Sequence, residues 1–256
     1  MNDLKVFNSI QEFIDFRKQI HPDIELGLVP TMGALHQGHA SLIKKSANEN
    51  DLTVLSIFVN PTQFNDPTDF TKYPKTWTED LKIAIDSGVD IVIAPNPEEI
   101  YFDKYRYKIS ENDFSKRLCG AHRPGHFDGV LTVVLKLFML VKPTRSYFGE
   151  KDYQQLQLIK DMVASFFIST QVIGCPTFRE TSGLAMSSRN MRLSELGRTK
   201  AASIFKCISE NKSATEVRNN LSALGFDVDY VEDEGSRRFV AAILEGIRLI
   251  DNVEIK

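Results

Sequence analysis

The sequence predicts an α/β fold, with a doubly wound parallel sheet followed by a smaller α+β unit. Apolar runs rich in Val, Ile and Leu at 26–30, 52–59 and 89–94 alternate with helix-like stretches. Buried parallel strands have this continuous apolar character, and β–α–β alternation is typical of a doubly wound, Rossmann-like sheet. The alternation then stops, so we expect one domain over residues 1–176 and a second over residues 177–256.

The remaining helices and strands are predicted from the spacing of apolar residues along the chain. In the first domain, further helices are expected at 9–20, 40–48, 77–87, 129–141 and 151–167, and further strands at 105–109, 146–148 and 171–174. In the second domain, helices are expected at 194–211 and 214–224, and strands at 228–231, 238–242 and 247–250.

Bulk composition narrows the class of protein. The chain has 256 residues, 42% of them hydrophobic, and a formal net charge of −3. A dedicated nucleic-acid binder carries a basic surplus, so we expect no nucleic-acid partner. The most apolar stretch, 130–141, contains Lys136 and is shorter than the roughly 20 residues of a membrane span, so we expect no membrane partner.

Cysteine usage and the first residues predict a cytoplasmic location. Cys119, Cys175 and Cys207 are widely separated and match neither a disulfide framework nor a zinc pattern, which fits a reducing compartment. Residues 1–5 lack the basic-then-apolar layout of a signal peptide.

The most informative segment is 29–39, Val-Pro-Thr-Met-Gly-Ala-Leu-His-Gln-Gly-His, which follows a predicted strand and opens a helix. Unpaired backbone N–H groups and the helix dipole make such a helix start an anion site, and Gly33 and Gly38 permit close approach of a phosphate. The two glycines have P-loop spacing. However, His39 replaces the required Lys and Ala40 replaces the Ser or Thr that holds magnesium, so the segment is not a P-loop.

His36 and His39 are three residues apart, so both can face one ligand. A helix-capping loop with two surface histidines is the alternative, but a pair that follows a strand and is flanked by glycines favours a phosphate site. A zinc site would need a third ligand, for which His122 or His126 is available, yet no Cys or Glu pattern accompanies them. We therefore expect no metal held by the protein alone.

A second candidate phosphate site is the run Met186, Ser187, Ser188, Arg189 and Asn190. Arginine offers a charge-assisted fork and the serines offer short hydroxyl donors, which suits a mobile phosphate clamp. A chance Ser-Ser-Arg in a polar loop is the alternative, and the pairing with the two-histidine segment favours the clamp.

Lys151 and Asp152 follow the predicted strand 146–148, in the first turn of a helix. A lysine there opposes the helix dipole, so contact with an anion explains it better than helix stability does. Asp152 is placed either to bind a ribose hydroxyl or to act as an ordinary acid at the start of a helix.

Three carboxamides complete the set of polar candidates. Asn60 and Gln63 follow the end of the predicted strand 52–59, at the edge where open α/β sheets bind ligands. Gln155 adds a third on the helix that follows Lys151. Because glutamine both donates and accepts hydrogen bonds, it suits a neutral polyol acid.

A family resemblance rests on these segments. The run 36–39, His-Gln-Gly-His, resembles the HxGH signature of nucleotidyltransferases and class I aminoacyl-tRNA synthetases, and the longer string 30–39 is similar to the pantothenate synthetase family in particular. The similarity extends over about 26–192 and returns at 249–252, Leu-Ile-Asp-Asn. The chain departs from the family in a shortened segment, 231–238.

The resemblance also implies ligands and roles. It implies ATP as a co-substrate, Mg²⁺ with it, and a homodimer. Asp80 is our choice for a carboxylate near the magnesium. Thr62 stands where the family commonly has Met, which should alter packing more than chemistry.

The implied ATP-binding residues are Met32, Gly33, Ala34, Leu35, His36, Gln37, Gly38, His39, Gly149, Glu150, Lys151, Asp152, Phe178, Met186, Ser187, Ser188 and Arg189. Those expected to be catalytic are His39, His36, Lys151 and Arg189, with His39 as the proton donor. Pantoate would be bound by Gln63 and Gln155, and β-alanine by Gln63 and Asn60, with Arg123 in a supporting role.

These phosphate donors suit attack by a carboxylate on the α-phosphate of ATP, because a carboxylate is ionised at pH 7 and needs no general base. The resemblance implies an ATP-dependent ligase that condenses (R)-pantoate with β-alanine through a pantoyl-adenylate, with release of AMP and pyrophosphate. The first domain would bind nucleotide and pantoate, and the second would be a lid that carries the second phosphate loop.

Two other functions compete with this one. Another HxGH nucleotidyltransferase would act on a small phosphate ester, but it would favour Arg or Lys where this chain has Gln63 and Gln155. A nucleotide-sensing module without catalysis would lack phosphate ligands that are present here.

Overall fold

In the computed structural model, which describes residues 4–255, six parallel strands and three antiparallel strands form separate sheets. The strands are β1 (Lys5–Phe7), β2 (Leu26–Thr31), β3 (Leu52–Ile57), β4 (Ile91–Ile93), β5 (Arg145–Gly149), β6 (Gln171–Cys175), β7 (Asp227–Glu234), β8 (Arg237–Leu244) and β9 (Ile247–Glu254). The helices are α1 (Ile10–Arg17), α2 (Gln37–Glu49), α3 (Pro67–Thr71), α4 (Trp77–Ser87), α5 (Pro97–Ile100), α6 (Cys119–His122), α7 (His126–Val141), α8 (Tyr153–Ser165), α9 (Glu195–Ala201), α10 (Ser203–Ser209) and α11 (Ala214–Ala223).

The parallel sheet has the order β1-β4-β3-β2-β5-β6, with β2 paired to both β3 and β5. The order reverses direction between β2 and β5, which makes that point the topological switch of a doubly wound sheet. Ligands of open α/β sheets bind in the crevice outside the carboxyl ends of the strands at such a switch. The predicted fold class is therefore confirmed. A ligand-binding site is expected at the carboxyl ends of β2 and β5.

Alternating side chains of the central strands pack against helices on both faces of this sheet. Leu28 and Val54 join one buried cluster with the apolar face of α7, while the neighbouring residues Val29 and Leu55 join another with α2 and α4. Because neighbouring residues of these central strands are buried on opposite faces of the sheet, the strands have continuous apolar sequences.

The second sheet, β7-β8-β9, is an antiparallel meander that packs against α10 and α11 through its own buried cluster. Its first hairpin turns through Gly235 and Ser236, with Glu234 paired to Arg237. Gly235 has a φ of +58°, the left-handed conformation that tight hairpins require. The shortened segment 231–238 is thus a hairpin with a minimal turn.

The structure differs from the prediction in several details. Residues 105–109 form no strand, because Lys104 and Tyr105 have positive φ and the backbone N–H groups of Tyr107 and Ile109 donate to the side chains of Asp103 and Thr132. The helix expected over 194–211 is divided at Ala202 into α9 and α10.

The helix expected over 151–167 begins as a 3-10 turn at Glu150–Asp152 and ends at Ser165. Strand β1 was not predicted. No helix within residues 4–255 is long and apolar enough to span a membrane. The expectation about the N-terminus rests partly on residues 1–3, which lie outside the described part of the chain.

Candidate active site

A cavity of about 240 Å³ opens beyond the carboxyl ends of β2, β3 and β5. The predicted site residues that line it are Met32, His36, Gly38, His39, Asn60, Gln63, Arg123, Gly149, Lys151, Asp152, Gln155, Phe178, Met186, Ser187, Ser188 and Arg189. Segments that are far apart in sequence therefore meet at one site. Five predicted ATP-binding residues do not line the cavity: Gly33, Ala34 and Leu35 are buried, Gln37 is exposed, and Glu150 lies beside Gly174.

His36 and His39 form the start of α2, with ring centroids 4.0 Å apart. The backbone N–H of Gly38 donates to His36 Nδ1 at 3.1 Å, and the backbone N–H of His36 donates to His39 Nδ1 at 3.3 Å. An Nδ1 atom that accepts a hydrogen bond carries no proton, so each neutral ring carries its proton on Nε2. Both rings therefore present an N–H donor from the wall of the cavity.

The local environment keeps both histidines neutral. Burial lowers the pKa of His36 to about 4, with the nearby positive charge of Lys151 acting in the same direction. Burial also lowers the pKa of His39 well below its ordinary value, again with help from His36 and Lys151. At pH 7 the two rings are therefore hydrogen-bond donors and not cations.

Asp80 supports the loop between β2 and α2 from the start of α4. Its buried carboxylate accepts hydrogen bonds from the backbone N–H groups of Ala34 at 3.0 Å and Leu35 at 2.7 Å, and from Thr76 Oγ1 at 3.0 Å. The oxygens are thus used within the protein, and Asp80 is not placed as a magnesium ligand. The N–H groups of Ala34 and Leu35 are likewise not available to a phosphate.

Lys151 and Asp152 project from the 3-10 turn that follows β5. The Lys151 ammonium lies 3.4 Å from Asp152 Oδ2, and both residues line the cavity. Gly149, at the end of β5, has open space where a Cβ would lie. A ligand can therefore approach this backbone closely, as a nucleotide at a strand end requires.

The second phosphate segment forms a 3-10 turn, Ser188–Arg192, capped by Ser187. The Ser187 hydroxyl accepts the backbone N–H of Arg189 at 3.2 Å, and Ser188 lies 3.5 Å from the Tyr73 hydroxyl. Tyr73 also lines the cavity, and it was missed because nothing in the sequence near it indicates a site.

Gln63 is held by a network of buried side chains. Asn60 Nδ2 donates to Gln63 Oε1 and to Gly129 O, both at 3.1 Å. Asn60 Oδ1 accepts hydrogen bonds from Thr62 Oγ1 at 2.9 Å and from the Tyr101 hydroxyl at 2.7 Å. The Asn60 carboxamide is therefore fully engaged, and Thr62 takes part in hydrogen bonding as well as packing.

Arg123 and His126 hold the backbone of Gln63. His126 Nδ1 donates to Gln63 O at 2.9 Å, Arg123 Nη2 donates to the same oxygen at 3.1 Å, and Arg123 Nη1 donates to His126 Nε2 at 3.0 Å. Burial and the adjacent Arg123 lower the pKa of His126 to about 3, and burial lowers the pKa of Arg123 to about 10. Arg123 thus holds the backbone of Gln63, and its supporting role in the reaction stays a prediction.

The site combines neutral imidazole donors at a helix start with a lysine turn and a serine–arginine loop, at the switch point of a doubly wound sheet. Phosphates bind at such helix starts, and the run His36-x-Gly38-His39 is the HxGH signature. Fold and site together define a protein of the HxGH class, to which nucleotidyltransferases and class I aminoacyl-tRNA synthetases belong.

Comparison with known proteins gives the family. The model of the pantoate-beta-alanine ligase family matches residues 5–254. A pantothenate synthetase of Bdellovibrio bacteriovorus is 57% identical over 251 residues, which cover 98% of this chain and 99% of that one. The chain belongs to the pantoate-beta-alanine ligase family.

Two solved structures share the fold. The chain is similar to a pantoate-beta-alanine ligase from Francisella tularensis complexed with beta-gamma ATP and beta-alanine, with a TM-score of 0.94, 41% identity, and coverage of 98% of this chain and 97% of that one. It is also similar to a pantothenate synthetase from Thermus thermophilus, with a TM-score of 0.90, 36% identity, and coverage of 98% and 99%.

Proposed function

We propose that this protein is an ATP-dependent ligase that condenses (R)-pantoate with β-alanine to give pantothenate, AMP and pyrophosphate. The observation that carries the proposal is the pair of Nε2–H donors on His36 and His39 in a cavity that also contains Lys151 and the carboxamides Gln63 and Gln155. The same cavity thus contains donors suited to phosphates and neutral carboxamides suited to a polyol acid. Family membership supports the same reaction.

In the first step, the pantoate carboxylate attacks the α-phosphorus of ATP, the bond to the β-phosphate breaks, and pyrophosphate leaves. The carboxylate is already ionised, so the enzyme must orient it and stabilise the charge that builds up on the phosphoryl oxygens. We assign the Nε2–H groups of His36 and His39 to those oxygens, and Lys151, Ser187, Ser188 and Arg189 to the leaving phosphates. The low pKa of His39 favours hydrogen-bond donation over the transfer of a proton.

In the second step, the unprotonated amine of β-alanine attacks the acyl carbon of the pantoyl-adenylate. The C–N bond of the amide forms, the bond between the acyl carbon and the phosphate oxygen breaks, the amine nitrogen releases one proton to water, and AMP leaves as an anion whose phosphate charge the histidine donors stabilise. We assign Gln63 to both acid substrates. The carboxamide of Asn60 already donates to Gln63 and to Gly129 O. We therefore assign Asn60 to the orientation of Gln63 and not to contact with β-alanine.

The acid pocket favours pantoate over a phosphate ester. Gln63 and Gln155 are neutral, and the apolar side chains Val133, Val134 and Leu137 of α7 line the same cavity, which suits a small acid with a branched apolar carbon. Arg123 is the cation beside Gln63, but two of its nitrogens already donate to His126 and to the Gln63 carbonyl. The competing nucleotidyltransferase function lacks a comparable supporting observation.

Magnesium enters the proposal with ATP. Among the residues that the structure describes, no group of three or more His, Cys, Asp or Glu side chains could hold a metal ion. Magnesium in nucleotide sites is commonly held by the phosphates and water with few protein ligands. We therefore propose Mg²⁺ as the ion that accompanies the triphosphate, and no step above depends on a protein ligand to it.

We also propose two domains, residues 1–176 and 177–256, the second acting as the lid that brings the Ser187–Arg189 loop over ATP. The buried cluster that is confined to the second domain supports this division, while Tyr230, Phe239 and Ala241 on the other face of its sheet join the cluster of the first domain. A homodimer is proposed from family membership and from the exposed apolar side chains Phe102 and Met139. A cytoplasmic location is proposed because the three cysteines are free and buried.

The test is AMP release from ATP with pantoate and β-alanine, each omitted in turn. We expect release to require both acids and to fall at least about 100-fold in His39→Ala, because that variant loses one preorganised donor to the phosphoryl group. His21→Ala is the matched control, since His21 lies exposed on the surface outside the cavity. ATP turnover that required neither acid would contradict the proposal, as would preference for a phosphorylated acceptor.

A further inference from the structure

Two adjacent buried residues of β9, Asp251 and Asn252, hold both of the elements that carry the phosphate ligands. They lie in the 249–252 segment, whose resemblance to the family has so far been given no role. Asp251 is 5% exposed and Asn252 is 3% exposed. Buried polar side chains of this kind need partners, so the identity of their partners indicates what they do.

Asn252 holds the turn that carries Lys151. Its Nδ2 donates to the carbonyl oxygens of Glu150 and Lys151, both at 2.9 Å, and Oδ1 accepts a hydrogen bond from Arg237 Nη1 at 2.6 Å. Arg237 also lies over the ring of Tyr153, 3.9 Å from its centroid. The carboxamide therefore has one orientation, and both of its N–H groups are used to hold the backbone of the lysine turn.

Asp251 holds the base of the second phosphate loop. Its carboxylate accepts a two-pronged pair of hydrogen bonds from Arg179, with Nη1 at 2.6 Å and Nη2 at 2.9 Å. Arg179 Nη1 also donates to Gly183 O, and its guanidinium lies 3.8 Å from the centroid of Phe205. Arg179 and Gly183 belong to the small hairpin 178–186 that leads directly into Ser187, Ser188 and Arg189.

We propose that Asp251 and Asn252 are positioning residues that set the distance between the lysine turn and the serine–arginine loop. Neighbouring residues of one strand have Cα atoms about 3.8 Å apart, so any shift of one is transmitted to the other. The triphosphate must be bound by both elements together, and its binding is sensitive to displacements of about 1 Å. This inference rests on the proposed function for the identity of the ligand, ATP.

If Asp251 and Asn252 only stabilised the fold, other ion pairs of the same sheet would affect ATP binding equally. The pair of Arg238 and Asp233 is the control that separates a positioning role from a stabilising one. Arg238 donates to Asp233 through Nε at 2.7 Å and Nη2 at 2.8 Å, which is another two-pronged pair in the same sheet. The further contact of Arg238 is with Glu210 O, away from both phosphate elements. Asp233→Asn therefore weakens the same sheet by the same kind of change without touching the site.

The experiment measures the Kd for ATP by calorimetry, in the absence of pantoate, together with Tm and the steady-state constants. We expect Asn252→Ala and Asp251→Asn each to raise the Kd and the KM for ATP about tenfold, while the KM for β-alanine stays within about twofold of wild type. We expect Asp233→Asn to lower Tm but to leave the Kd for ATP unchanged.

The inference is overturned if the Asn252 and Asp251 variants bind ATP as wild type does, whatever their Tm. If Asn252→Ala does not fold, Arg237→Leu is used in its place. This change keeps the Asn252 side chain but removes the hydrogen bond that fixes the orientation of its carboxamide. We expect the same rise in the Kd for ATP. The ATP Kd needs no ligase activity. A failure of the proposed function would appear instead as wild-type protein that binds ATP but forms no pantoate-dependent product.

Discussion

Asp69 on α3 accepts a hydrogen bond from Arg189 Nη2 at 3.1 Å, so α3 holds the arginine of the serine–arginine loop. Arg192 Nη1 donates to the other carboxylate oxygen at 2.8 Å. Burial acts to raise the pKa of Asp69, but the two guanidinium groups outweigh it and lower that pKa. One carboxylate thus holds the serine–arginine loop beside the cavity.

We expect Asp69→Asn to free this loop. The two ion pairs are about 30% exposed, so their loss should cost stability little, but the backbone at 189–192 should become accessible. Trypsin cleaves after arginine, and we expect cleavage after Arg189 and Arg192 to become several-fold faster than in wild type, with ATP restoring protection. Asp86→Asn, an exposed change on α4, is the control and should leave the cleavage rate unchanged.

Asp80→Asn is expected to loosen the loop between β2 and α2. The variant replaces one of two accepting oxygens with an N–H donor that faces the backbone N–H groups of Ala34 and Leu35. We expect the free energy of unfolding to fall by about 2 kcal/mol, as for lost hydrogen bonds to a charged group. Urea denaturation measures this, and Thr76→Val, which removes a single bond to Asp80, should cost less. Equal losses in the two variants would contradict this role of Asp80.

The rate of adenylate formation should show no titration near pH 6.5. The pKa of His36 is lowered to about 4, and a proton on its Nδ1 would break the hydrogen bond from Gly38. We therefore expect single-turnover pyrophosphate release, with pantoate and ATP only, to be constant from about pH 8 to 6 and to fall as the pH approaches the pKa of His36. An inflection near the ordinary histidine pKa would show that a protonated imidazole takes part.

Most of the fold could be predicted from local sequence patterns, but the long-range contacts of the site could not. Strands β2 and β3 are buried on both faces and therefore have continuous apolar sequences, whereas β1 is three residues long and half exposed. The histidine pair was visible because its spacing is local. Asp69, Asp80 and Asn252 act on residues 45 or more positions away, so no spacing or composition near them indicates what they hold.

The stability of the protein should depend on the protonation of His126. Its pKa is lowered to about 3 because the ring is buried beside the positive charge of Arg123, and these effects outweigh the hydrogen bond to the Gln63 carbonyl, which acts to raise the pKa. Between about pH 6.5 and 3 the unfolded chain binds a proton that the folded protein does not, so stability falls as the pH falls through this window. We expect His126→Asn to reduce this slope by up to about 1.4 kcal/mol per pH unit in denaturant titrations.

The control for that prediction is His21→Asn, a change at an exposed histidine that should keep the wild-type slope. The same slope in His126→Asn as in wild type would mean that His126 is protonated in the folded protein.

Gly129 allows α7 to approach the turn that carries Gln63. A Cβ at position 129 would lie 2.5 Å from Thr62 O and 2.8 Å from Gln63 N, closer than side chains tolerate, and Gly129 O also accepts a hydrogen bond from Asn60. We expect Gly129→Ala to push the turn away from α7, at a cost of about 1–3 kcal/mol in the free energy of unfolding.

Because Gln63 is assigned to pantoate, its displacement should raise the KM for pantoate about tenfold. The KM for ATP is the internal control, since the atoms nearest to a Cβ at position 129 belong to Thr62 and Gln63 and not to the lysine turn or the serine–arginine loop. A variant in which both KM values rose equally would show that the substitution disturbs the whole cavity, and one in which neither rose would remove Gln63 from the pantoate site.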